Sequence, residues 1–155
     1  MKKSCLVLLL ILSSCSKEDE GVTSYLESFP TEKYFDEDVF SSSYQDFYGL
    51  WKALGSWGGW NGYYEPDFDF LEIKPFGIYG FVRNDTLFEY GKITPNTDIM
   101  DNYIGLPVKL DPEYSSGDRP NSFRSTMYFE LVRIDTLSVS NGSIVSIQFL
   151  FLREK

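Results

Sequence analysis

Any chemistry in this 155-residue chain must be done without histidine, and with cysteine only at Cys5 and Cys15. Histidine acid–base catalysis and the usual zinc sites are therefore excluded. Carboxylates and phenols remain. Asp67, Asp69 and Glu72 follow closely behind Tyr63 and Tyr64, and paired acids are what glycoside cleavage requires. Strand alternation, however, sets Asp67 and Asp69 on one face and Glu72 on the other. An acidic strand edge beside a turn is ordinarily solvated, and these acids alone do not make a metal site. The expectation is a protein that is not an enzyme, with no catalytic residue, metal or cofactor. A second concentration is aromatic. Residues 48–64 read YGLWKALGSWGGWNGYY, three tryptophans, three tyrosines and five glycines in seventeen positions. Trp57, Trp60, Tyr63 and Tyr64 are the candidate ligand-binding residues, because large rings with polar tips can line the mouth of an apolar pocket.

The elements that hold these residues begin with a processed N-terminus. Lys2 and Lys3 precede eight consecutive apolar residues, Cys5 to Leu12. That run is too short for a bilayer, which needs ~20 residues, and suits the core of a signal peptide. Leu12-Ser13-Ser14-Cys15 resembles the lipobox of bacterial lipoproteins. The resemblance implies cleavage before Cys15 and diacylation of its thiol, with residues 1–14 as signal peptide. Two or three acyl chains, at ~0.8 kcal/mol per buried methylene, anchor a protein durably. Cys15 is then a tether and not a nucleophile, and no thiol remains for a disulfide.

Removing Lys2 and Lys3 from the 14 basic and 23 acidic residues leaves 12 against 23, a net charge of −11. Such a surface repels nucleic acid and anionic lipid head groups. The acidic cluster Glu18-Asp19-Glu20 behind Cys15 resembles the surface-export signal of some Gram-negative lipoproteins; as a plain charge run it is a solvated spacer. Residues 15–45 read as a lipidated, acidic tether with one docked turn at most. Tyr34, Phe35, Val39 and Phe40 are spaced for a short helix. The domain is expected over 46–155.

That domain is written in strands. DFDFLEIK (67–74), GIYGFVR (77–83) and TLFEYGKI (86–93) are separated by Pro75-Phe76-Gly77 and Asn84-Asp85. Such residues supply the φ values of tight turns. STMYFELVRI (125–134) is a further strand, with Met127, Phe129 and Leu131 on one face. DTLSVS (135–140) and SIVSIQFLFLR (143–153) flank Asn141-Gly142, the strongest short hairpin signal. Ile147 to Leu152 is apolar on both faces except at Gln148, which predicts a strand covered on both sides or central in the sheet. Four prolines break residues 94–122 into loops, with one short strand near 103–110 confined by Pro107 to an edge. The segments Arg83-Asn84-Asp85-Thr86-Leu87 and Arg133-Ile134-Asp135-Thr136-Leu137 echo each other and predict a shared turn. About eight strands in an up-and-down series predict a closed antiparallel barrel; the same periodicity permits a β-sandwich.

Gly49-Leu50-Trp51 at the first strand and Arg153 at the end of the last resemble the lipocalin pattern, in which the tryptophan closes the barrel floor beneath a late arginine. The order GLWK, glycine-rich loop, FLEIKPFGIYGFVRN, DTL is similar to small lipocalin-like bacterial lipoproteins. The resemblance implies a lipocalin-like barrel anchored at the outer membrane, with Trp51 and Arg153 as its structural closing pair. It places the glycine-rich connection at the open end. There Trp57 and Trp60 either rim a pocket for a small apolar or amphipathic ligand, or fold back and plug the barrel. The two functions that follow are a lipid-anchored binding protein and a non-catalytic envelope module with a filled barrel, whose partner is another envelope protein.

Overall fold

The computed structural model describes residues 24–27, 44–58, 62–96, 105–116, 126–141 and 147–155. The expected signal peptide, Cys15, the acidic cluster, the helix expected around Tyr34 to Phe40, and Trp60 lie outside the described residues. The described residues form nine strands: β1 (Gly49–Gly58), β2 (Gly62–Tyr64), β3 (Phe70–Lys74), β4 (Ile78–Arg83), β5 (Thr86–Pro95), β6 (Leu106–Ser115), β7 (Thr126–Arg133), β8 (Thr136–Ser140) and β9 (Ile147–Arg153). All neighbours pair antiparallel. The order β1-β3-β4-β5-β6-β7-β8-β9 closes when β9 pairs back onto β1, from Trp51 opposite Arg153 to Gly58 opposite Ile147. This is an eight-stranded, lipocalin-like barrel, and the closure excludes the sandwich. β2 is a short extra strand attached to β1 beyond the reach of β3.

Alternation decides what each strand turns inward. Trp51, Leu71, Ile73, Tyr79, Phe81, Ile93, Val108, Leu110, Met127, Phe129, Leu137, Val139, Phe149 and Phe151 form one buried cluster inside the barrel. Burying a side chain of this size contributes ~1.5–3 kcal/mol, so this cluster is the main stabilising term. One end is closed by the 3₁₀ turn Gln45–Phe47 and the 3₁₀ turn Pro75–Gly77, together with the β7–β8 turn. The opposite end carries the Asn84-Asp85 turn and the chain linking β2 to β3.

Several local expectations need correction. Asn141-Gly142 does not make a two-residue turn: Ser140 stands opposite Gln148, and the Asn141 amide donates to the Ile147 carbonyl at 3.3 Å. The tight two-residue turn is Asn84-Asp85, with both residues at positive φ (50° and 56°) and Arg83 opposite Thr86. These signs are those of a type I′ turn. Arg133 likewise faces Thr136, but Ile134 and Asp135 do not have positive φ. The two echoing segments share a place in the fold and not a backbone conformation.

β6 is a ten-residue barrel strand, paired with β5 and β7, where a short edge strand was expected. Pro107 lies at its margin. Pro112 lies in the half that only β5 pairs, beside a register shift. A missing donor is tolerated in both places. On β9 the inward Phe149 and Phe151 are buried, yet outward Leu152 is 38% exposed, so the strand is central in the sheet without being covered on both faces.

Candidate functional site

The aromatic segment is a hairpin and not a glycine loop. β1 runs through to Gly58, and β2 returns with Tyr63 opposite Trp57 and Tyr64 opposite Ser56. Trp57 also stands opposite Gln148 of β9. Ser56 turns inward and is buried, so Trp57 and Tyr63 project outward, 40% and 52% exposed. Their rings meet edge to face, centroids 5.4 Å apart. A Cβ at Gly55 would come 2.6 Å from the Tyr63 ring and 3.0 Å from the Trp57 ring, which shows that both rings lie over that glycine. Leu54 and Leu152 add exposed apolar surface. Trp57 therefore neither plugs the barrel nor faces its interior, because the strand continues where a loop was expected.

The plug is Phe68. It comes from the β2–β3 connection, is 3% exposed, and packs against Phe81 (5.1 Å), Phe149 and Phe151 (both 5.8 Å between centroids). Its flanking aspartates hold it there. Asp67 forms an ion pair with Arg83 at 2.8 Å, and the Arg83 Nε also donates to the Asp67 carbonyl. The Asp69 carboxylate accepts from the Asn84 amide at 2.6 Å, while the Asp69 backbone bonds Ala53 and Val82, both at 2.8 Å.

At the closed end Trp51 is fully buried, and its indole Nε1 donates to the Phe47 carbonyl at 2.8 Å. The Arg153 guanidinium lies 4.4 Å over the indole and donates to the Asp46 carbonyl. Such a cation–π contact contributes ~0.5–2 kcal/mol. Its registry follows from barrel closure, which sets Trp51 opposite Arg153.

Two carboxylates have roles that local sequence does not announce. Glu89 points into the barrel with no exposure, and Tyr79 donates its hydroxyl to Oε1 at 2.8 Å. A register shift on β5 explains this: Phe81 faces Glu89 while Val82 faces Leu87. Phe88 is thus an extra residue, and both it and Glu89 are buried. Glu72 points outward but is only 5% exposed. It accepts from Ser24 Oγ at 2.5 Å and from the Leu26 amide at 3.0 Å, with Lys74 Nζ 4.0 Å away. Leu26 is 1% exposed and lies against the face of Gly80, where a Cβ would approach it to 3.0 Å. Tyr25 stacks on Phe70 (6.0 Å) and donates to Asp85 at 3.2 Å. Burial, with the Asp85 carboxylate second, pushes the Tyr25 hydroxyl above the ordinary tyrosine value. Ser24–Glu27, within the acidic stretch before the barrel, is thus seated on the outer wall of β3–β5. Its partner Glu72 is 46 residues from Leu26, a separation no local pattern reveals.

An open groove of about 300 Å³ lies beside this seat, lined by Ser24, Tyr48, Gly49, Lys74, Pro75 and Lys155 among others. Asp67, Asp69 and Glu72, the acids a glycosidase would need, each have the partners given above. Among the described residues no group of three or more acids could hold a metal ion, and no helix is long and apolar enough to cross a membrane. Comparison with protein-family models, curated proteins and solved structures found no match to this chain.

Proposed function

We propose that this chain is an outer-membrane lipoprotein of the small lipocalin-like kind, lipidated at Cys15 after loss of residues 1–14, and that its barrel is a non-catalytic envelope interaction module. The close packing of the described interior residues carries this reading. Phe68 seals one end over Phe81, Phe149 and Phe151, and Trp51 with Arg153 seals the other. A barrel built to hold a ligand would keep a pocket of roughly 300–1,000 Å³ for it. The outward rings of Trp57 and Tyr63, with Leu54 and Leu152, support contact with another envelope protein across the outer face instead.

Two measurements on one preparation test the reading. Phe68→Ala should lower stability in urea by ~3–5 kcal/mol, as expected for deleting a buried Phe. The wild type should show no saturable binding of a fluorescent fatty-acid probe. Saturable binding that Phe68→Ala abolishes would overturn the filled-barrel reading in favour of a ligand carrier.

A further inference from the structure

We infer that the Ser24–Glu27 turn is a clamp that shortens the membrane tether and turns the closed end of the barrel toward the membrane. The inference rests on the proposed lipidation of Cys15. Thirty-one residue steps separate Cys15 from Asp46; wholly free, they would reach roughly 100 Å at full extension. Only nine steps separate Cys15 from Ser24, and these span at most ~32 Å whatever their conformation.

The seat of the turn is built into the barrel wall. Both oxygens of one buried carboxylate, Glu72, are engaged by Ser24 and Leu26. Gly80 leaves the space in which Leu26 lies. Outward Ile78 and Val82, on either side of Gly80 along β4, are 1% and 0% exposed and stand apart from the inner cluster. This wall is therefore a second buried face, and the turn is part of it.

The direction of the turn sets the orientation. Ser24 lines the groove shared with Gly49, Pro75 and the C-terminal residues Glu154 and Lys155, which belongs to the closed end. Tyr25 reaches the other way, to Phe70 and Asp85. Ser24, the described residue nearest Cys15 in sequence, thus stands at the closed end. The Trp57–Tyr63 hairpin sits at the far end of the ten-residue β1, ~30 Å away at the rise of a strand. It is presented outward from the membrane.

The test uses the full chain expressed in a Gram-negative host, purified from membranes and reconstituted in phosphatidylethanolamine–phosphatidylglycerol vesicles. Lys155→Cys and Glu65→Cys variants carry a donor fluorophore, and head-group-labelled lipid is the acceptor. Transfer from position 155 should exceed transfer from position 65 by about twofold or more, given labels about six residues, ~20 Å, apart along β1. Glu72→Leu, which keeps bulk but removes both acceptors, should abolish that difference; Ser24→Ala should reduce it. Hydrogen exchange at the Leu26 amide reads the clamp alone: slow in the wild type, fast in Glu72→Leu. Fast exchange in the wild type would overturn the clamp. Slow exchange with equal transfer from both labels would overturn the orientation. Intact mass separates the underlying reading: Cys15 without a diacylglyceryl adduct would remove the anchor, and the orientation with it, while Leu26 protection would still register the clamp.

Discussion

Arg153 acts on three parts of the chain at once: its guanidinium lies over Trp51 and bonds the Asp46 carbonyl, and its amide donates to Asp135. Arg153→Ala keeps the amide bond and deletes the rest. Stability in urea should fall by ~0.5–2 kcal/mol from the cation–π term, with a change in tryptophan emission because Trp51 loses its cover. Arg153→Lys should recover only part of this, since an ammonium cannot lie flat on an indole while bonding a carbonyl. The Trp51–Arg153 juxtaposition was implied by the lipocalin resemblance, and closure, which sets Trp51 opposite Arg153, realises it. Phe68 was not legible in the sequence. It lies between two aspartates, and a lone ring in an acidic turn gives no sign that its neighbours will fasten it inward. Glu89 was hidden differently: a single extra residue at Phe88 puts both side chains in the core, and simple alternation cannot foresee a bulge.

Hairpins were legible where the turn chemistry was complete in two residues. Asn84 and Asp85 tolerate positive φ, and Arg83 stands opposite Thr86 across them. Asn84→Val should cost on the order of 1–3 kcal/mol, the range for a residue forced into a sparsely populated region. Asn84→Gly should be close to neutral, because the backbone amide that bonds Asp69 remains. Thermal melts of both variants check this, and equal melting temperatures would refute the turn assignment. Asn141-Gly142 carried the stronger signal and lost to register: pairing Val139 with Phe149 and Leu137 with Phe151 buries the core faces of both strands. Hydrophobic register outweighs the preference of a two-residue turn. β6 was obscured because prolines argue against a strand only where both sides need donors. The clamp was least legible, since Ser24 and Leu26 find Glu72 only after the sheet has formed.

The eight-stranded closure was readable from strand count and from the need to hide edges, whereas the buried outer wall on β4 was not, because its cover comes from residues distant in sequence. Closure makes the molecule depend on β9, which pairs with both β1 and β8. A chain ending at Asn141 should lose cooperative unfolding and become readily cleaved by trypsin; a truncated chain with a sharp urea transition would show that the open sheet suffices. The same pairing bears on how the protein is made. β9 leaves the ribosome after every other strand, and Trp51 must wait some hundred residues of synthesis for the arginine that covers it. Contacts so distant along the chain form slowly. Until β9 has been made, the seam between the first strand and the last stays open, and β1 keeps an unpaired edge throughout the synthesis of the strands between them.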